Sequence, residues 1–221
     1  MLVTVYGDSI LKGVLYENGR YVLERGWERR LAERFDLRVV NRSRFGGTLP
    51  KALARIEQDS AAEPDGEEYA LLELGGNDCD YDWAAVSDAP EAAHECKTPP
   101  PRFLDGLRRA VRLLRASGRT PVLASLPPIN AELYLGFLCR GGLSRENLLR
   151  WLGDVQRIYR WQEHYSQMVE QVAREEGAPL IDLRRPFLRD ARAPEELLCA
   201  DGIHPSRLGQ ELLYQAFGGA L

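Results

Sequence analysis

Short apolar runs alternate along the chain with longer segments in which apolar residues recur every three or four positions. The short runs are almost continuously apolar, which is typical of parallel strands that are covered on both faces. The sequence predicts five such strands, at residues 2–6, 37–40, 69–74, 120–125 and 179–183.

The longer segments predict amphipathic helices at residues 103–114, 151–172 and 208–217. Gly118 and Gly177 follow the first two as helix-ending residues, and Pro205 precedes the third, where proline favours a helix start. Because strands alternate with helices, we expect an α/β protein: a doubly wound three-layer α/β/α sandwich with right-handed crossovers.

Composition limits the classes of partner. The chain has 221 residues, 44% of them hydrophobic, which is enough to bury one sizeable core, and we expect a single domain over 1–221. The net charge of −4 provides no basic surface for nucleic acid or anionic lipid. No apolar run approaches the ~20 residues of a membrane span. We therefore expect neither nucleic acid nor a membrane as a partner.

Two polar motifs lie near opposite ends of the chain. The first predicted strand ends in Gly7-Asp8-Ser9, and Asp201-Gly202-Ile203-His204-Pro205 precedes the last predicted helix. Nucleophilic catalysis needs a hydroxyl, an imidazole to take its proton and a carboxylate to hold that imidazole. The spacing of Asp201 and His204 lets the carboxylate fold back onto the ring. Each motif alone also fits an ordinary turn or helix cap.

Two glycine-containing motifs follow the second and third predicted strands. Residues 41–48 read Asn-Arg-Ser-Arg-Phe-Gly-Gly-Thr, and residues 74–78 read Leu-Gly-Gly-Asn-Asp. Backbone N–H groups exposed at glycine, together with the side-chain amide of Asn77, can stabilise a developing oxyanion. Each of these motifs alone is also a common turn. All four motifs lie at strand or helix ends, so we expect them to meet at one edge of the sheet.

Together the four motifs resemble those of the SGNH hydrolases, also called the GDSL esterase/lipase family. The family letters correspond here to Ser9, Gly46, Asn77 and His204, and Asp201 completes a triad. The motifs occur in family order from residue 7 to residue 205, so the resemblance covers the whole chain. It implies a flavodoxin-like fold with a five-stranded parallel sheet and hydrolysis of ester or thioester bonds. It also implies that no metal or organic cofactor takes part.

The resemblance further implies an oxyanion hole formed by the backbone N–H groups of Ser9 and Gly46 and the side-chain amide of Asn77. Two positions depart from the family pattern. Ile10 stands in place of a leucine, which keeps the position apolar. Gly47 stands where the family commonly has an acidic residue. Since two glycines are adjacent here, Gly47 is an alternative to Gly46 as the backbone donor.

Residues next to these motifs are expected to form the substrate pocket. The predicted pocket residues are Asp8, Gly47, Trp83, Pro128, Ile129 and Asn130, with Tyr81, Tyr134 and Phe137 as further lining. Large aromatic residues are more often core residues, and this interpretation of Trp83 stays open. Cys79 follows the Asn-Asp pair and is interpreted as a small buried residue.

The position of Ser9 also bears on the cellular compartment. A cleaved leader of ~15–30 residues would remove Ser9 together with the first strand, so we expect a cytoplasmic protein. The cysteines show no CxxC spacing and are expected to be free thiols in a reducing compartment. They are Cys79, Cys96, Cys139 and Cys199.

The sequence therefore predicts a serine esterase that acts on a small soluble ester, with an O-acetylated carbohydrate as one candidate substrate. Two alternatives stay open: an acyltransferase with the same triad, and a catalytically silent carbohydrate- or lipid-binding module. The chain has no GxGxxG after its first strand, no GxxxxGK[ST] and no GxSxG. Dinucleotide-binding, P-loop and α/β-hydrolase classes are therefore disfavoured.

Overall fold

The fold is that of a computed structural model, which describes residues 1–24 and 26–220. Its strands are β1 (Leu2–Gly7), β2 (Val14–Glu17), β3 (Arg20–Leu23), β4 (Arg38–Asn41), β5 (Glu68–Glu73), β6 (Thr120–Ala124) and β7 (Leu180–Ile181). Five of them form a parallel sheet in the order β4-β1-β5-β6-β7, and β2 pairs with β3 in an antiparallel hairpin. The order of the five-stranded sheet is that of flavodoxin-like folds. This part of the prediction is confirmed.

The helices are α1 (Trp27–Phe35), α2 (Leu49–Asp59), α3 (Trp83–Asp88), α4 (Pro100–Ala116), α5 (Ala131–Arg140), α6 (Arg145–Leu152), α7 (Arg157–Glu176), α8 (Arg184–Arg189), α9 (Pro194–Leu197) and α10 (Arg207–Ala220). Across the described ranges 1–24 and 26–220, none of the helices combines the length and the apolar character that crossing a bilayer requires.

Two buried clusters lie on opposite faces of the parallel sheet. Helices α2, α4 and α7 contribute to one cluster, and α1, α8 and α10 contribute to the other. Neighbouring residues of β5 point to different clusters: Leu72 packs in the first and Leu71 in the second. Both faces of the strand are therefore buried, which explains why its sequence is continuously apolar. The protein has the predicted three-layer α/β/α architecture.

The last strand is shorter than predicted. The prediction covers residues 179–183, whereas β7 contains only Leu180 and Ile181, which pair with β6. The chain leaves the sheet at Asp182, whose Oδ1 accepts hydrogen bonds from the backbone N–H groups of Arg184 (3.1 Å) and Arg185 (2.9 Å). This side-chain cap begins α8 at the point where the strand would otherwise continue.

The helix predicted at residues 151–172 is two helices. Helix α6 ends at Leu152 and α7 begins at Arg157. Gly153 between them has a φ of 73°, and the Asp154 side chain accepts a hydrogen bond from the Gln156 N–H. This turn lets the end of α6 and the start of α7 face the same space.

The hairpin of β2 and β3 was not predicted, and neither were α1, α2, α3, α5, α8 and α9. The hairpin turns at Asn18 and Gly19, which have φ values of 52° and 76°. Two successive residues with positive φ are the feature of a type I′ turn, for which Asn-Gly is the preferred sequence. The hairpin extends beyond the carboxyl edge of the parallel sheet, where the four motifs lie.

Candidate active site

The four sequence motifs meet at the carboxyl edge of the parallel sheet. Ser9 follows β1, Gly46 lies in the loop between β4 and α2, and Asn77 follows β5. His204 lies in the loop before α10 and approaches Ser9 from the other end of the chain. One cavity is lined by all four of these residues.

A continuous chain of hydrogen bonds joins Asp201, His204 and Ser9. The Nδ1 atom of His204 lies 2.6 Å from Asp201 Oδ2, and its Nε2 atom lies 2.9 Å from Ser9 Oγ. Because the carboxylate can only accept, Nδ1 carries the ring proton of neutral His204 and Nε2 is free to accept the proton of the serine hydroxyl. Asp201 is 0% exposed and His204 is 2% exposed, so the pair is screened from water.

The loop that carries Asp201 is held by its own backbone. Asp201 Oδ1 accepts hydrogen bonds from the N–H groups of Ile203 and His204, both at 3.2 Å. Gly202, with a φ of 76°, accepts a hydrogen bond through its carbonyl from the Asn130 N–H at 2.8 Å. The carboxylate therefore fixes both the ring and the backbone of the residue that it serves.

The two glycines of the loop before α2 differ in their surroundings. The Gly47 N–H donates to Arg44 O at 3.0 Å, and a Cβ at Gly47 would lie 3.1 Å from Gly7 O. Gly46 has a φ of 64°, lines the cavity and has open space around the position of a Cβ. The N–H of Gly47 is consumed within the turn, and Gly46 is the one of these two glycines that lines the cavity.

Asn77 is anchored by the residue that precedes Ser9. Its Nδ2 donates to Asp8 Oδ2 at 3.0 Å, and Asp8 Oδ1 accepts a hydrogen bond from the Ile10 N–H at 2.8 Å. A primary amide has two N–H groups, so one of them remains for a ligand. Asp8 does line the cavity, as predicted, but both of its oxygens already hold protein donors.

Asp78 ties the Asn77 loop to α2. Both of its carboxylate oxygens lie within hydrogen-bond distance of the Leu49 N–H, at 2.9 and 3.1 Å. Leu49 is the first residue of α2, where an anion is stabilised by the helix dipole. Burial nevertheless raises the pKa of Asp78 to about 6, because the charged form is removed from water.

The cavity has a volume of about 230 Å³ and a largely aromatic lining. Its aromatic residues away from the mouth are Tyr81, Trp83, Tyr134, Phe137, Trp151 and Trp161. Trp83 keeps its polar edge satisfied, since its Nε1 donates to Asp80 Oδ1 at 2.6 Å. Trp83, Tyr81, Tyr134 and Phe137 all line this cavity, and their contact with a substrate stays a prediction.

Three of the predicted pocket residues lie outside this lining, and their prediction is wrong. Gly47 lies beneath the loop, where backbone atoms enclose it. Pro128 is not among the lining residues, whereas Pro127 and Ile129 on either side of it are. Asn130 caps α5 instead: its Oδ1 accepts a hydrogen bond from the Leu133 N–H at 3.1 Å.

Sequence reasoning missed the aromatic residues at the mouth of the cavity. The ring centroids of Tyr21 and Phe45 lie 5.5 and 6.3 Å from that of His204, and the two residues are 44% and 53% exposed. Tyr21 belongs to the hairpin, for which the Asn-Gly turn was the available signal. Trp151 and Trp161 were missed as lining residues because the break between α6 and α7 was not predicted.

Cys79 is buried and also lines the cavity. Burial raises the pKa of its thiol well above the usual range, so the reactive thiolate is disfavoured. Its backbone carbonyl accepts a hydrogen bond from Trp161 Nε1 at 3.0 Å. The interpretation of Cys79 as a small buried residue agrees with these contacts.

The family model described as the GDSL-like lipase/acylhydrolase family matches residues 5–212. The chain belongs to this family. The resemblance drawn from the four motifs is thereby confirmed, and the GDSL protein is a carboxylic ester hydrolase.

Solved structures have the same fold as this GDSL hydrolase. An acetylxylan esterase from Geobacillus stearothermophilus is 21% identical, with a TM-score of 0.69 and coverage of 99% of this chain and 93% of that one. A lipase/acylhydrolase from Enterococcus faecalis is 19% identical, with a TM-score of 0.63 and coverage of 98% and 92%. TesA is 24% identical, with a TM-score of 0.62 and coverage of 100% and 98%. A search of curated proteins found no match.

The close packing of Gly202 leads to a first prediction. A Cβ there would lie 2.6 Å from Tyr134 N and 2.7 Å from Asn130 O, and the positive φ adds strain of about 1–3 kcal/mol. We expect Gly202→Ala to displace His204, to lower the free energy of unfolding in urea and to abolish ester hydrolysis. Gly177→Ala is the control, because its φ is 59° with nothing within 4 Å. Equal effects of the two substitutions would contradict this account.

The raised pKa of Asp78 leads to a second prediction. Between its ordinary value of 3.8 and about 6, the folded protein binds the proton more tightly than the unfolded chain does, so stability falls as pH rises. The side-chain amide of the Asp78→Asn variant cannot titrate and still offers an oxygen to Leu49. We expect the unfolding free energy of wild type, minus that of the variant, to fall by up to about 3 kcal/mol across this window and then stay constant. Chemical denaturation between pH 4 and 8 measures it, and a difference that rises with pH would refute it.

Proposed function

We propose that the enzyme hydrolyses carboxylic esters through an acyl-Ser9 intermediate. His204 Nε2 takes the hydroxyl proton as Ser9 Oγ attacks the ester carbonyl, and Asp201 stabilises the imidazolium that forms. His204 then gives this proton to the leaving alcohol. Water attacks the acyl-Ser9, again with His204 as the base; His204 then returns the proton to Ser9 Oγ as the acyl–oxygen bond breaks, and the carboxylic acid is released. The hydrogen-bond chain of 2.6 and 2.9 Å from Asp201 to Ser9 is the observation that carries the proposal.

Three donors converge on the position where the oxyanion would form. They are the backbone N–H groups of Ser9 and Gly46 and the second side-chain N–H of Asn77. Within residues 1–24 and 26–220 the Gly47 N–H is bonded to Arg44 O, whereas Gly46 lines the cavity, which supports the choice of Gly46 as the donor. Preorganised donors of this kind stabilise the charge that develops in the transition state, where they have the largest effect on rate.

The role of His204 also orients the substrate. The leaving oxygen must receive its proton from Nε2, so the alcohol part lies on the side of His204, next to the exposed rings of Tyr21 and Phe45. The acyl part then points the other way, into the aromatic cavity toward Trp83 and Trp151. The two parts of the ester therefore meet different surfaces.

The size of the cavity favours an acyl group larger than acetyl. An apolar cavity of about 150 Å³ accepts benzene, and this one is larger at about 230 Å³. We therefore favour small soluble esters of aryl or medium-length acyl groups. An O-acetylated carbohydrate is the second candidate, supported by the shared fold with an acetylxylan esterase and by the exposed aromatic rings on the alcohol side.

Two further points concern the acceptor and the compartment. We favour water over an alcohol as the acyl acceptor because the family is one of acylhydrolases. The hydrogen-bonded Asp201, His204 and Ser9 argue against a silent binding module, which has no need of all three.

All four cysteines are free thiols, which supports a reducing compartment such as the cytoplasm.

The mechanism predicts distinct effects at Ser9 and Asn77. A fluorophosphonate probe is expected to label wild type at Ser9, and Ser9→Ala is expected to lose both labelling and hydrolysis. Asn77→Ala removes one oxyanion donor and is expected to lower kcat roughly 100- to 1000-fold while KM changes little. Circular dichroism and thermal unfolding control for the fold. Labelling of folded Ser9→Ala would exclude Ser9 as the nucleophile, and an unchanged kcat in Asn77→Ala would exclude Asn77 as an oxyanion donor.

The orientation of the acyl group predicts the dependence on chain length. With p-nitrophenyl esters, two more methylenes buried in the cavity are worth about 1.6 kcal/mol, so kcat/KM for butyrate is expected to exceed that for acetate about 15-fold. Trp151→Ala enlarges the far end of the cavity and is expected to move the optimum to longer acyl chains. Phe35→Ala, outside the cavity on α1, is the control. An optimum at acetate in wild type would favour the acetylated carbohydrate.

A further inference from the structure

The carboxyl groups of Glu73 and Asp8 lie side by side and line the cavity, as Asn77 does. Glu73 ends β5 and pairs in register with Gly7 of β1, so that Asp8 lies beside it. Glu73 is 1% exposed and Asp8 is 2% exposed. The Glu73 side chain lies within reach of Asp8, so that each carboxyl group acts on the pKa of the other. The mechanism proposed above uses neither carboxyl group directly.

Hydrogen-bond donors decide which member of the pair carries the negative charge. Two adjacent buried carboxylates would repel each other strongly, so the pair holds one proton. Asp8 accepts hydrogen bonds from the Ile10 N–H and from Asn77 Nδ2, which suits a carboxylate. Glu73 Oε2 is buried and receives no hydrogen bond from residues 1–24 or 26–220. An anion in that position would be costly, so Glu73 keeps the proton and donates it to Asp8.

The electrostatic surroundings agree with this distribution. Burial raises the pKa of Glu73 well above its usual range, and the negative charge of Asp8 raises it further, with a smaller contribution from Asp78; the Asp8 backbone N–H opposes this shift but does not offset it. The pKa of Asp8 is also raised by burial, but the Ile10 N–H, His204 and the Asn77 amide oppose this. Besides Glu73 and Asp8, the titratable or charged residues that line the cavity are Tyr21, Cys79, Asp80, Tyr81, Tyr134, Arg157 and His204.

We propose that Glu73 is a positioning residue for the oxyanion hole and acts through Asp8 on Asn77. The Glu73 proton holds the Asp8 carboxylate in place, Asp8 holds one N–H of the Asn77 amide, and the other N–H is thereby aimed at the oxyanion. This inference rests on the proposed acyl-Ser9 mechanism. Its consequence is an alkaline limit on catalysis: loss of the shared proton places two negative charges side by side and releases Asp8 from its orientation.

The decisive substitution is Glu73→Gln. The glutamine amide donates to Asp8 at every pH and has no proton to lose in the working range. We expect its kcat at neutral pH to stay within about threefold of wild type, with the alkaline fall of kcat shifted to higher pH or lost. Glu68→Gln is the matched control, because Glu68 is a buried carboxylate at the other end of the same strand. The pH profile of this control is expected to follow wild type.

A double-mutant cycle tests whether Glu73 acts through Asn77. Glu73→Leu removes the donor and is expected to lower kcat roughly tenfold or more, up to the roughly 100- to 1000-fold expected for loss of the oxyanion donor itself, while KM changes little. If the two residues act in series, Glu73→Leu with Asn77→Ala is expected to lose no more kcat than Asn77→Ala alone. Additive losses would overturn the positioning role, as would an unchanged alkaline fall of kcat in Glu73→Gln. The pH profile of Glu73→Gln tests the proposal even where Glu73→Leu fails to fold.

Infrared spectroscopy separates this inference from the mechanism on which it rests. A protonated carboxyl absorption is expected at neutral pH in wild type and in Ser9→Ala, and it is expected to disappear in Glu73→Gln. Absence of this difference would overturn the assignment of the proton to Glu73, whatever the activity. A wild type that hydrolyses no ester and resists the fluorophosphonate would instead refute the acyl-Ser9 mechanism.

Discussion

The parallel register between β1 and β5 sets the relative positions of the turns that carry Ser9 and Asn77 at the carboxyl edge of the sheet. The two strands pair residue by residue from Leu2 with Glu68 to Gly7 with Glu73. β5 is the central strand of the sheet and β1 its neighbour, and both leave the sheet at the same level. The turns that follow, with Ser9 in one and Asn77 in the other, therefore emerge side by side from rigid supports. A slip of one residue would move every side chain of the strand to the opposite face.

Features with a local signal were predictable from the sequence, and features produced by tertiary contacts were not. Continuous apolar runs indicated the central strands, and the four turns carried recognisable chemistry. Around Pro128 the cavity is lined by Leu126, Pro127 and Ile129, and no local signal in this irregular segment indicates which of its residues face the cavity. Trp151 and Trp161 converge only because the chain turns at Gly153, and nothing in helical periodicity reports where separate helices face each other.

The site concentrates acidic groups around a single imidazole and depends on backbone donors to tolerate them. Asp201 receives the N–H groups of its own loop, Asp8 receives that of Ile10, and Asp78 faces the first N–H of α2. Each carboxylate thus joins a turn to its neighbour while its charge is offset by oriented dipoles. Desolvation of these groups opposes folding, which is the usual cost of a preorganised site, and the apolar core on either side of the sheet supplies the compensating stability.

The hydrogen bond between Ser9 and His204 joins residues that are 195 positions apart. During synthesis on the ribosome Ser9 is therefore made long before His204. Under the proposed mechanism, a nascent or cleaved chain that lacks His204 has a serine of ordinary nucleophilicity, whatever part of the sheet has already assembled. Hydrolytic activity then depends on synthesis through residue 204, and a product that stalls before this residue is expected to be inactive.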